Sequence, residues 1–439
     1  MIWSAPPDRR VVETVVAIFR DSAERSHQRL SALQYCDWVR SYHWLDASGM
    51  ALYFLNQVET LGIEGALPAA TLGRLRQNLA DNRMRSSAMF AEFIAINQAF
   101  QQAGVQYCNL KGFTLSPDSC PDPVLRCQLD FDFLVDGHQL ELCREILADT
   151  GYILTGTTNT VWEFKAGSSE LVSIEDHYKP RPQRSVELHF TSSETPSRDE
   201  RLDRLTLRSW DGLALPTLSA SDQFVGQALH LFGHVCSACT RLAWFLEYKR
   251  HISVRYSDRP FWEEVRERSQ THRHASIAIG LATLLSTQLF GCEAPDQLNG
   301  WTLDRLPPAV RLWADHYGRK AILADFPGTK LYLLLLDELS RGDNSWQKKK
   351  RSSLLPLRRA PRIVHAGPED NLWKRLGREI HQVRFILFRF RFHATQGLRY
   401  MIEAVRWKRR LTAFQKYAPS VAIERPRLSG IEKTSLDKG

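Results

Sequence analysis

The sequence predicts an α+β fold: a small mixed-sheet core flanked by N-terminal and C-terminal helical blocks. Three observations carry that expectation. Apolar residues recur at three- and four-residue spacing through the first hundred positions, and the same spacing returns from Ala220 to Phe290. Between those blocks lie short runs that alternate with period two, or that are rich in β-branched and aromatic residues.

In the first block, Val11–Val39, Tyr42–Leu61 and Leu72–Gln102 read as long helices, with Pro68 as the clearest break. Ala103 and Gly104 end the last of them, and VQYCNL follows as a short strand leading to Lys111-Gly112 and a second helical start. A proline-containing loop, SPDSCPDPVLRC, precedes QLDFDFLVDG, where Leu129, Phe131 and Phe133 face one side of a strand and Asp130 and Asp132 the other. Gln139–Thr150 reads as a helix. Then come the strand-like runs YILTGT, TVWEFKA, LVSIEDHY and SVELHF. The stretch SDQFVGQALHLFGHVCSACTRLAWFLEYKRHI reads as helical throughout, and no fixed-period repeat is visible. The expected division is 1–88, an N-terminal helical block; 89–195, the α/β core; 196–300, a helical domain facing the cleft; and 301–439, a basic helical extension.

The 439 residues, 43% hydrophobic and 24% charged, suffice for a packed core, which excludes collagen-like and wholly disordered classes. No apolar run reaches the ~18 residues of a membrane span, and MIWSAPPDRR has no basic-then-apolar leader pattern. A cytoplasmic location, with its eight cysteines reduced, is the expectation. Cys236 and Cys239 with His230 and His234 offer a zinc reading. Structural zinc usually draws ligands from a turn plus a second element, so on a continuous helix buried thiols are the better account.

Charge is uneven. Arg341–Lys416 holds 20 Lys/Arg against 5 Asp/Glu, a local +15; with +1 in the tail, the chain's net +9 leaves −7 on residues 1–340. In the extension, Leu372, Leu376, Ile380, Val383 and Leu387 mark one helical face. FRFRF (Phe388–Phe392) fits strand and helix alike, and Leu398–Phe414 is a second amphipathic stretch. Such a segment either docks on the acidic body, the favoured reading, or engages a polyanion (RNA, DNA or an anionic membrane) through residues 342–416.

Asp130 and Asp132 share one face of an otherwise hydrophobic strand, their Cα atoms roughly 7 Å apart. Two such carboxylates repel and lose hydration unless a cation lies between them. Mg²⁺, or Mn²⁺ in its place, matches an oxygen-ligand pair, and metals about 3.5–4 Å apart are the usual device for phosphoryl transfer. Glu187 shares a face with His189 in SVELHF and supplies a third carboxylate if that strand lies beside the first. Lys111 and Arg126 are cations suited to a triphosphate, and Gly112 permits close approach of backbone to ligand. Taken singly, each of these is an ordinary solvated group or turn glycine; their order along the chain makes the case.

That order, L-K-G, then R-x-x-x-D-x-D-x-L-V, then V-E-L-H-aromatic, resembles the uncharacterised nucleotidyltransferases of the DNA polymerase β-like superfamily. The residues that carry it are Leu110-Lys111-Gly112, Arg126, Asp130 to Val135, and Val186-Glu187-Leu188-His189-Phe190. Ala228-Leu229-His230, Gly233-His234 and Arg241 to Glu247 resemble the family's histidine-containing helix and the R-L-x-W-L-x-D-type helix after it, so the likeness spans about residues 30–290. The chain differs in having Lys111-Gly112 where most of the superfamily has Gly-Ser, and Glu247 where the family pattern has Asp.

The resemblance implies a nucleotidyltransferase core and Mg²⁺-dependent transfer of a nucleoside monophosphate from an NTP, such as ATP, to an acceptor that is a small molecule, sugar, RNA end or protein. In that reading Asp130, Asp132 and Glu187 are catalytic and metal-binding. Lys111, Gly112 and Arg126 bind phosphates, and His230, His234 and Arg241 contact base or acceptor unless they merely pack the helices. Neutralising Asp130 or Asp132 should end transfer and leave stability similar or higher. The competing class is a non-catalytic protein that binds nucleic acid or membrane through its basic extension; only the enzyme would release pyrophosphate from NTPs.

Overall fold

The computed structural model describes residues 6–167, 176–180, 184–191, 199–210, 212–272, 274–341, 343, 345–355 and 372–417. The chain divides into two units. One comprises Ala5–Leu231 and Arg241–Arg305; the other comprises Phe232–Thr240 and Leu306–Gly439 with Met1–Ser4.

The first unit opens with helices α1 (Arg9–Ala17), α2 (Ala23–Ser31), α3 (Tyr35–Ala47), α4 (Met50–Thr60) and α5 (Ala69–Gln102). The single helix expected over Val11–Val39 is three, because polar groups in the sequence cap their starts. Asp8 accepts from Arg10 N, Ser22 accepts from Arg25 N, and Gln34 with Asp37 forms a capping box. Gly49, with φ +75°, then turns the chain into α4.

Seven strands follow, with helix α6 (Leu140–Asp149) between the second and third: β1 (Tyr107–Leu110), β2 (Phe131–Val135), β3 (Ile153–Thr157), β4 (Val161–Ala166), β5 (Arg184–His189), β6 (Thr206–Trp210) and β7 (Leu213–Thr217). They form one mixed sheet in the order β3-β4-β5-β2-β1-β7-β6. In LVSIEDHY, residues 171–175 lie outside the described residues, and 176–178 lie outside any strand.

The alternation in β2 decides which face is which. Phe131, Phe133 and Val135 point into a core with Val186 and Leu188 of β5, roofed by Phe93, Ile96 and Phe100 of α5 and by Leu140, Cys143 and Leu147 of α6. Phe93 lies 6.0 Å and 6.2 Å, ring to ring, from Phe131 and Phe133, and Phe100 lies 5.3 Å from Phe133. Asp130, Asp132, Glu187 and His189 are therefore on the sheet's other face. That face carries a small apolar cluster, Cys108, Leu134, Leu202 and Leu218.

Helices α7 (Ala220–Val235), α8 (Leu242–Val254), α9 (Arg259–Ser269), α10 (Ala275–Phe290) and the short α11 (Asp296–Asn299) complete the helical part. The helix expected to run through residues 236–241 is broken there. Ser237 and Thr240 donate their hydroxyls to the His234 carbonyl, and the Cys239 N–H is taken by Ser237 Oγ, so side chains replace the helical ladder.

The second unit contains α12 (Pro308–Trp313), α13 (Arg319–Ile322), α14 (Tyr332–Leu339), α15 (Trp346–Leu354) and α16 (Leu372–Tyr417), a single helix of 46 residues. FRFRF lies inside α16, so helix wins over strand. The face that packs is Phe385, Tyr400, Trp407 and Leu411. Tyr400 donates to Asp337 (2.8 Å) and Trp407 Nε1 to Glu338 (3.4 Å), while Tyr317 donates to Glu403 (2.9 Å). The Leu372–Leu387 face is exposed. Among the described residues no helix is long and apolar enough to cross a membrane, and the eight cysteines carry no disulfide.

Candidate active site

The centre of the sheet assembles the acidic residues. β5 runs parallel to β2 with Glu187 directly beside Asp132, and β1 runs antiparallel to β2 with Leu110 beside Asp132. Lys111 therefore leaves β1 next to Asp132, and its Nζ donates to Asp132 Oδ1 at 3.1 Å. His189, two residues after Glu187 and so on the same face, places Nε2 2.9 Å from Asp132 Oδ1 and 3.7 Å from Glu187 Oε2. One ligand atom each from Asp132, Glu187 and His189 lies within 4.8 Å of the others; this is the metal-capable group that converges among the described residues.

The two aspartates are shifted in opposite directions. Burial alone would raise Asp132, but the Lys111 ammonium and His189 outweigh it and keep the carboxyl well below the usual range. Asp130, just before β2, is pushed up to about 6 by burial and by the charges of Asp132 and Glu187, which Lys111 and Arg126 only partly offset. Burial works against the charge on Lys111, yet Asp132, Asp130 and Glu187 raise its pKa. These groups share one electrostatic field.

Lys111 has φ +47° and ψ −157°, the only positive φ outside glycine among the described residues. Backbone there is costly for a side chain and persists where its surroundings over-determine it. Gly112 follows at φ +55°, and a Cβ on it would run into the Gln128 side-chain amide. That amide donates from Nε2 to the Asp130 carbonyl at 2.9 Å, so the close approach at Gly112 is made by Gln128. Gly112→Ala is expected to cost about 1–2 kcal/mol of stability, measurable by denaturant unfolding, and to loosen the loop carrying Asp130.

The expected helix start after Gly112 is a four-residue 3-10 turn, Gly112–Leu115. Pro117 ends it, because the residue before a proline is driven out of the helical region; Ser116 sits at ψ +142°. An anion site of the α-helix N-terminal kind is therefore not built there.

Arg126 is half-sunk beside the site. Its Nε donates to Glu247 Oε1 at 3.1 Å, and Tyr53 OH donates to the same oxygen at 2.8 Å. The charge of Glu247 outweighs the burial of Arg126 and raises its pKa, and Asp130 adds to the effect. The glutamate standing where the family pattern has aspartate thus anchors this arginine.

The loop between Gly112 and Asp130 is fixed from α5 by residues that sequence reasoning missed. Asn82 Nδ2 donates to the carbonyls of Val124 (2.6 Å) and Arg126 (3.2 Å). Arg85 donates to the carbonyls of Gln128 and His177 and touches Cys127 Sγ at 3.2 Å. Asn78, Asn82 and Arg85 are buried at four- and three-residue spacing, in a helix that also buries Thr71, Ser86 and Asn97 beside its apolar groups. A polar stripe on a core-facing side was the available signal.

The remaining expected residues make other contacts. His230 sits edge-on to Trp244 at 5.0 Å, the Arg241 guanidinium lies 5.6 Å from the Trp244 ring centre, and His234 Nδ1 is 2.7 Å from the Cys239 carbonyl.

With this geometry in view, the comparisons are specific. The family model described as uncharacterised nucleotidyltransferase matches residues 35–291, more than half of the chain. The chain belongs to that family. The match encloses the whole acidic cluster, the loop held by α5, and Glu247. A crystal structure of an antigenic nucleotidyltransferase-like protein from Paracoccidioides brasiliensis is similar over 47% of this chain and 93% of its own, at 12% identity and TM-score 0.27. None of the curated proteins matches the sequence. Family membership supports a transferase.

Proposed function

We propose that the protein transfers a nucleoside monophosphate from an NTP to an acceptor hydroxyl, with a divalent cation held by the acidic cluster. The observation that carries this is the in-register pairing of Glu187 with Asp132 beside Lys111. It brings two carboxylates, an imidazole and an ammonium around one point on a sheet face.

The donor set suits such an ion. Two carboxylates favour a hard cation, Mg²⁺ above all, and the His189 nitrogen makes Mn²⁺ an acceptable substitute. Asp132 and Glu187 would hold it, with Asp130 contributing from the position before β2. When bound, it supplies charge neutralisation on the triphosphate and a lowered pKa for the acceptor hydroxyl.

The rest falls to the chain's own side chains. Lys111 compensates Asp132 and is the ammonium that would reach the β/γ-phosphate oxygens. Arg126 is held by Glu247 through Nε alone, which leaves its two terminal nitrogens, not engaged among the described residues, to grip phosphate in a fork. In the reaction the acceptor oxygen bonds to the α-phosphorus and the bridge to the β-phosphate breaks. Pyrophosphate leaves with the bonding pair, and the hydroxyl proton passes to Glu187 or to water.

The test is incubation with each α-labelled NTP and Mg²⁺, reading pyrophosphate release and label transfer to an acceptor in a cell extract. Lys111→Met is expected to lower kcat/KM about 100-fold through lost phosphate stabilisation. Wild-type protein that releases no pyrophosphate with any NTP under Mg²⁺ or Mn²⁺ would overturn the reading.

A further inference from the structure

The exposed side of α16 is patterned. Leu372, Val383, Ala394 and Val405 recur every 11 residues, and Leu376, Leu387 and Leu398 repeat that interval four positions on. All seven are exposed, the six Leu and Val more than half so. They lie on the side of the helix away from the packed Phe385, Tyr400 and Trp407. An 11-residue interval is 3.67 residues per turn, close to the α-helical 3.6. The apolar stripe therefore runs almost parallel to the helix axis, over about 50 Å.

A nearly straight stripe can meet a flat surface along its whole length. Winding with a partner helix into a left-handed coiled coil would require the shorter 3.5-residue period. Charge narrows the occupant further. The helix holds 12 Lys/Arg against 2 Asp/Glu, so two copies laid side by side would repel. Arg384 and Arg391 are exposed at the stripe's margin. Nucleic acid would match the charge and leave the leucines wet. An anionic lipid headgroup layer over an acyl interior matches both features.

We propose that α16 is an in-plane membrane anchor: it lies on an anionic bilayer with the Leu372–Val405 stripe sunk between headgroups and its arginines on lipid phosphates. It rests on the interface and does not cross, in keeping with the absence of a spanning helix among the described residues.

The test uses the full chain in a flotation assay with vesicles of phosphatidylcholine alone or mixed with phosphatidylglycerol. Flotation is expected with the anionic vesicles, weakening as salt rises. V383D/L387D and, separately, Leu398→Asp should each lower the affinity at least ~10-fold, with unchanged circular dichroism and melting because these side chains are exposed. R384Q/R391Q should remove the preference for phosphatidylglycerol. The proposal is overturned if the protein does not float, or if the stripe variants float like wild type. It is overturned equally by a dimer that V383D/L387D dissociates, or by single-stranded RNA binding in place of vesicle binding.

Discussion

Asp132→Asn is expected to abolish nucleotide transfer, by at least ~1,000-fold in kcat, and also to lower stability. The stability half departs from what the sequence alone suggested. Asp132 is held ionised by Lys111 and His189, so the amide leaves a partly buried ammonium without its counter-charge, a loss of about 2 kcal/mol after allowing for the exposure of Lys111. A carboxyl whose folded pKa is depressed stabilises the fold above its unfolded value of about 3.9 and loses that contribution as pH falls below it.

Asp130→Asn should be equally inactive with the opposite effect on stability. Its pKa is raised to about 6 by burial and by Asp132 and Glu187. The stability tied to its protonated form is therefore complete below about pH 4 and lost as pH rises through about 6. In metal-free buffer at pH 7.5 the variant should be more stable than wild type by on the order of 1 kcal/mol, and the gap should close at pH 4.5. Melting curves in EDTA at the two pH values check both signs. Equal shifts in one direction, or retained transfer in either variant, would remove the two-aspartate account.

The second large effect is expected at Arg85, remote from the carboxylates in sequence. Arg85→Met strips the donors from the carbonyls of Gln128 and His177 inside a buried site, a cost of about 3 kcal/mol. Because the Gln128 amide in turn holds the Asp130 carbonyl, transfer should fall with it. Arg85→Lys keeps one charged donor and should recover part of both losses. Denaturant unfolding and the labelled-NTP assay read the two effects separately, and an Arg85→Met protein with wild-type kcat would show that the loop holds its shape unaided.

What the sequence made legible follows from how local each signal is. The alternation of Phe131 and Phe133 with Asp130 and Asp132 is written within five residues, so the strand and its two faces could be read directly. The side-by-side placement of Glu187 and Asp132 could only be expected, because register between β2 and β5 is set by tertiary pairing. Helix ends were misread where capping groups competed with periodicity, as at Ser22 and at Ser237 and Thr240. The partners of Arg126 and Gln128 were out of reach, since Glu247 and Arg85 are far away in the chain and nothing local pairs them. The leucine face of α16 was seen, and its direction was not; hydrophobic spacing marks a stripe without saying what covers it.

The path of the backbone has a practical corollary. The nine residues Phe232–Thr240 belong with the C-terminal unit, though the chain on both sides of them belongs to the other. Within that unit the Gly328 α-carbon is pressed so near the Ala238 carbonyl that no side chain would fit. A cut at Arg305 would part these nine residues from the rest of the unit they belong to. A truncation there splits a unit, so dissection of this protein belongs to single-residue replacements.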